Sequence, residues 1–202
     1  MSDAPTSAVD TLDLAAARAA GWSMAEIEWE VKCERAALLA EEGRPDEAAA
    51  LWRKSLELAR DDFSEDDPRL GTSLANAALA LRQAGNGAAA AQLFAEARRV
   101  WEASPQWIAE IALEPRARSS LFHLRMEARH RDKYDATMRE RLTRFAEETR
   151  EHLRALAEGR PSTWRGLARW RAEKPPTYGE RRKFMAACLL LASARPSEDP
   201  AP

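Results

Sequence analysis

Apolar residues recur three and four positions apart along this chain, and no stretch alternates residue by residue, so helices are expected throughout and strands nowhere. A short helix over 11–20 stops at Gly21. Ser23 and Glu26 have the spacing of a capping box, in which hydroxyl and carboxylate each satisfy a free backbone N–H. A long helix follows to about Glu42, with Gly43 as its terminating residue. Pro45 restarts the chain as a helix, since proline in a first turn sacrifices no hydrogen bond. That helix carries Ala48, Leu51, Trp52, Ser55, Leu56 and Ala59 on one face. Residues 61–71 read as a loop from which Pro68 opens the next helix, through Leu70, Leu74, Ala78 and Leu81 to Gly85. The following one carries Ala90, Phe94, Ala97 and Trp101 and ends near Ser104 and Pro105. Beyond it, helices are expected at 106–113, 115–131, 134–158, 163–173 and 179–194, separated by proline and glycine. Thr177 with Glu180 reads as a second capping box before the last of them.

The pattern repeats. A shift of 42 residues, which sets Gly43 on Gly85, also sets Ala36 on Ala78, Leu39 on Leu81, Ala48 on Ala90, Trp52 on Phe94 and Ser55 on Ala97. Small residues that let two helices approach, beside an aromatic that fills the gap, resemble the tetratricopeptide repeat over 29–102. The spacing, the Asp66-Asp67-Pro68 entry and Asn76 are similar to the longer repeats of kinesin light chain type. The resemblance implies an all-α array of helical hairpins that binds a peptide or partner protein along its concave side. The expected divisions are an N-terminal segment with a short helix (1–22), two repeats (23–104), a degenerate third hairpin (105–158), C-terminal capping helices (159–195) and a disordered tail (196–202). The capping helices are expected because an array must cover its last apolar face.

In such a hairpin the first helix lines the groove. The resemblance therefore assigns Glu30, Cys33, Glu34, Ala37 and Glu41 to it in the first repeat, and Thr72, Ala75, Asn76, Leu79, Arg82 and Gln83 in the second. Asn76 and Arg82 are the expected clamps, because an amide can donate to and accept from the same peptide backbone. The plain alternative is that Asn76 merely caps or solvates a helix face.

Charge adds one feature. Residues 1–110 hold 20 acidic against 11 basic side chains, and 111–202 hold 13 against 20, within a net charge of −2. The chain is acidic in front and basic behind, which suggests two faces for different partners or two halves that attract each other, within one chain or between copies as a homo-oligomer. The Arg- and Trp-rich stretch 163–174 has the composition of a nucleic-acid contact, although Trp164, Leu167 and Trp170 also fit an ordinary amphipathic helix. Nucleic-acid binding through this half is the alternative to a peptide-binding adaptor.

Other chemistry is thin. His123, Glu127 and His130 share a helical face and form a weak metal-ligand set, for which a turn near Asp132 and Lys133 would bring only Glu140 opposite. Two distant cysteines, Cys33 and Cys188, suggest neither a disulfide framework nor zinc, and a reduced, cytoplasmic setting. There is no nucleophile–base arrangement and no phosphate-binding loop, so neither an enzyme nor a cofactor is expected. The apolar run 184–192 is too short to span a membrane and reads as a buried capping helix.

Overall fold

The computed structural model describes residues 13–113 and 121–193, with 121–130 as backbone only. The described residues form helices and no strand: α1 (Leu14–Ala19), α2 (Met24–Glu41), α3 (Pro45–Asp62), α4 (Pro68–Gln83), α5 (Gly87–Glu102), α6 (Ser104–Glu110), α7 (Leu121–Glu158), α8 (Gly166–Glu173) and α9 (Glu180–Leu189).

The repeated pattern becomes two hairpins, α2 with α3 and α4 with α5. Each first helix ends on a left-handed glycine, Gly43 at φ 81° and Gly85 at φ 82°, a conformation that costs other residues a Cβ clash. The closing hydrogen bonds keep the 42-residue shift: Arg44 N–H donates to the Leu39 carbonyl, and Asn86 N–H to that of Leu81, both at 2.9 Å. Ala48 and Ala90, Trp52 and Phe94, and Ser55 and Ala97 are all buried, as the small–aromatic–small order requires. The capping box at Ser23 is present in both directions.

Contacts between the repeats and within the second one are tight. The Trp29 indole donates to the Ser73 hydroxyl at 2.7 Å, joining α2 to α4. At Gly71 a Cβ would stand 2.8 Å from a ring carbon of buried Trp101, so α4 approaches α5 only because that side chain is absent.

Three expectations change. The break at Asp132 and Lys133 does not occur: α7 is one helix of 38 residues, about 57 Å long. No glycine or proline interrupts it, and Arg131 pairs with Asp135 one turn on at 3.0 Å, across the supposed turn. The third segment therefore lacks the hairpin turn assigned to it. The second capping box is also absent, since Gly179 precedes α9 and no side chain caps it. Here the backbone is held elsewhere, with the Tyr178 carbonyl accepting from the Trp22 indole at 2.6 Å and the two rings packed edge to face.

The third change is the largest. The C-terminal helices do not simply cover the last repeat. Helix α9 packs against α4, α7 and α8, and α8 also touches α2. Every residue of α4 from 68 to 80 is consequently buried, hairpin face and opposite face alike.

Candidate polypeptide-binding face

The inner side of the two hairpins is lined by α2 and α4, where the resemblance places a groove. Six of the eleven positions assigned to it bond the chain's own C-terminal half: Glu30, Glu34, Glu41, Thr72, Asn76 and Arg82. Along α2, Glu30 is wholly buried and takes both ends of the Arg182 guanidinium, at 2.5 and 3.0 Å. Lys174 stands 3.5 Å from Glu30 and 2.8 Å from Glu34, and Arg171 stands 3.4 Å from Glu41. Lys183 bonds Glu26 at 2.7 Å. The acidic front half and the basic rear half thus pair within one chain, which answers the charge division in the sequence. Cys33 and Ala37 lie in the core, and burial pushes the Cys33 thiol up to about 12, removing it as a nucleophile.

On α4 the contacts are to backbone. The Thr72 hydroxyl donates to the Ala187 carbonyl at 2.6 Å, satisfying one of the acceptors that the last turn of α9 leaves free. Asn76 donates from Nδ2 to the Leu190 carbonyl at 3.1 Å and accepts at Oδ1 from the Ala192 N–H at 2.8 Å. The orientation of the amide follows, because a carbonyl can only accept and an N–H can only donate. Ala75 and Leu79 are core residues and Gln83 is exposed. Arg82 lies over the Phe94 ring and donates to the carbonyls of Leu156 and Ala157, neutralising the C-terminal end of α7.

Two more side chains complete the hold on the segment that leaves α9. The Trp164 indole donates to the Leu191 carbonyl at 3.0 Å, and His152 Nε2 donates to the Ala192 carbonyl at 2.8 Å. That leaves His152 Nδ1 to accept from the Ser162 hydroxyl at 2.8 Å. The imidazole stacks on the Trp164 ring with centroids 4.8 Å apart. Three consecutive carbonyls and one amide of Leu190, Leu191 and Ala192 are therefore held by Asn76, His152 and Trp164. The sequence pointed to Asn76 alone. Trp164 entered it only as part of an Arg- and Trp-rich stretch, read as a nucleic-acid contact or an ordinary amphipathic helix.

Burial lowers the His152 pKa from 6.5 to about 4, against the Ala192 carbonyl, which raises it. The folded chain thus binds fewer protons at this imidazole than the unfolded chain does between those values. Stability from this group is full above pH 6.5 and is lost as pH falls towards 4. A His152→Gln chain should lack that part of the slope in urea unfolding followed between pH 7 and 4.

The remaining candidates have separate places. Trp170 is buried and Trp164 faces the Leu191 carbonyl, so neither indole of the Arg-rich stretch stands free for a base to stack on. Arg169 pairs with Glu148, and Arg171 with Glu41. The side chains of His123, Glu127 and His130 lie outside the described residues. Among the described residues no three His, Cys, Asp or Glu side chains are grouped to hold a metal. No helix among them is long and apolar enough to cross a membrane.

Comparison with known families agrees with the hairpin geometry. Residues 24–103 match the family described as tetratricopeptide repeat, a span running from the first residue of α2 to the end of α5. The match names no subtype within the family. No curated protein and no solved structure is matched by the chain. Repeats of this family mediate protein–protein interaction, and residues 24–103 of this chain are similar to them.

Proposed function

We propose that this protein is a non-catalytic interaction adaptor whose inner face recognises polypeptide, and whose ligand there is its own C-terminal hairpin. The observation that carries this reading is the Asn76 amide, which donates to one backbone group and accepts from another two residues along. That is the use the resemblance implies for a peptide clamp, here directed at the same chain.

Magnitude decides what an outside partner can do. Residues 184–192 are all buried, and five of them are Phe, Met or Leu. At about 1.5–3 kcal/mol for each large apolar side chain, withdrawing them costs roughly 8–15 kcal/mol. A whole domain is stable by about 5–15 kcal/mol. A partner therefore binds with the hairpin still in place, on surface that α8 and α9 leave open.

Fastening the hairpin tests this. The Thr72 hydroxyl meets the Ala187 carbonyl at 2.6 Å, so α4 and α9 touch there. A Thr72→Cys/Ala187→Cys chain whose intrachain disulfide is verified by peptide mass is fastened at this point. Partner recovery from the native host should be the same for the oxidised and the reduced chain. Recovery that vanishes on oxidation and returns on reduction would place the partner in the groove instead.

A further inference from the structure

The strongest unused observation is that the segment in the groove is a separable unit. Helices α8 and α9 hold each other: the Trp164 indole reaches the Leu191 carbonyl, and the Leu189 carbonyl lies where a Cβ on Gly166 would be, at 2.3 Å. They join α7 through residues 159–163, all of them exposed and outside any helix, with Gly159 left-handed at φ 70°. The rest of the protein holds the unit by apolar packing of α9 on α4 and α7, by opposite charge and by the backbone clamp. Glu26, Glu30, Glu34 and Glu41 face Lys183, Arg182, Lys174 and Arg171.

The fit is particular to this sequence. A different occupant would have to bring a cation to Glu30, which is wholly buried and costly to leave unpaired. It would also need to be apolar around its whole circumference, since α4, α7 and α8 all press on α9. One available polypeptide meets every condition, the same hairpin on a second copy. Exchange conserves each contact, so the energy that excludes other ligands does not oppose it; a short linker is the place where such exchange begins.

We propose that two copies exchange residues 164–193 through the 159–163 linker. The result is a twofold dimer in which Glu30 of each copy receives Arg182 of the other. The acidic and basic halves of the sequence then act between chains as well as within one.

Charge reversal separates exchange from ordinary folding. In a Glu30→Arg chain two cations face each other in the closed monomer, and in an Arg182→Glu chain two anions do. An exchanged pair made of one of each restores one opposite-charge contact in both grooves. The two variants, co-refolded from denaturant, should give a species of twice the chain mass that neither forms alone, melting within a few degrees of the native protein. A mixture that behaves as the sum of its separate components overturns the proposal.

A second measurement applies if the single variants aggregate or fold unperturbed. Thr72→Cys and Ala187→Cys, each introduced alone and the two chains co-refolded, should yield an interchain disulfide between those positions, identified by peptide mass. Its absence, under conditions that close the Thr72→Cys/Ala187→Cys double variant within one chain, likewise overturns exchange. The adaptor reading is independent of both outcomes, because its own test reads partner recovery.

Discussion

Replacing Arg182 by alanine is expected to lower the unfolding free energy by about 3–5 kcal/mol, the loss found when one member of a buried ion pair is removed. Glu30 is fully buried, so without the guanidinium its carboxylate keeps only Lys174, 3.5 Å away, as a charge partner. Arg182 also lies 4.0 Å over the Tyr178 ring and donates to the Pro175 carbonyl, so the loss reaches the turn that leads into α9. Urea unfolding of the single variant measures it. A Glu30→Met/Arg182→Met chain should recover much of the loss, because an apolar pair leaves no buried charge behind. A double variant no better than the single one would show that packing around Arg182 matters more than its charge.

Asn76→Ala should cost on the order of 4 kcal/mol, since it leaves two buried backbone groups without partners at about 1–3 kcal/mol each and opens a small void. Asn76→Asp is the sharper variant because the side chain keeps its shape. The carboxylate can still accept from the Ala192 N–H, but it turns an oxygen towards the Leu190 carbonyl where an N–H stood. It should therefore be destabilising at neutral pH and recover partly in acid, where a protonated carboxyl can donate. A near-native Asn76→Asp chain at pH 7 would mean that Asn76 fills space and does not clamp.

The hairpins were legible in the sequence because their determinants are local. Gly43, Gly85, Pro45, Pro68 and the small–aromatic–small faces act within one or two turns, and each appears where the pattern puts it. The occupant of the inner face was not legible in the same way, because no periodicity says which distant helix returns to which face. A signal was nevertheless present. Helix α4 has no charged residue between Arg69 and Arg82, which is the composition of a helix covered on all sides and not of one lining an open groove. Its companion is the apolar run 184–192, which likewise has no polar face. Read together, the two would have predicted each other. The capping box expected at Thr177 is absent because α9 begins only at Glu180, with Gly179 before it, and Glu180 pairs with Lys183 instead of reaching back.

Asn76 and Arg82 illustrate the limit well. Their residue types indicated a grip on backbone carbonyls, and both have one, on Leu190 and on Leu156. Residue type speaks of the group that will be held. It does not say which chain carries that group.

The central claim is that the repeats hold the chain's own C-terminal segment through its backbone, and the amide of Ala192 tests it most directly. It lies beyond the end of α9, so no helical hydrogen bond protects it, and its one acceptor is Asn76 Oδ1. Hydrogen exchange at this amide should be as slow as in the buried middle of α4, and Asn76→Ala should accelerate it by several orders of magnitude. Exchange at Ala192 as fast as at an exposed residue in the native chain would contradict the account.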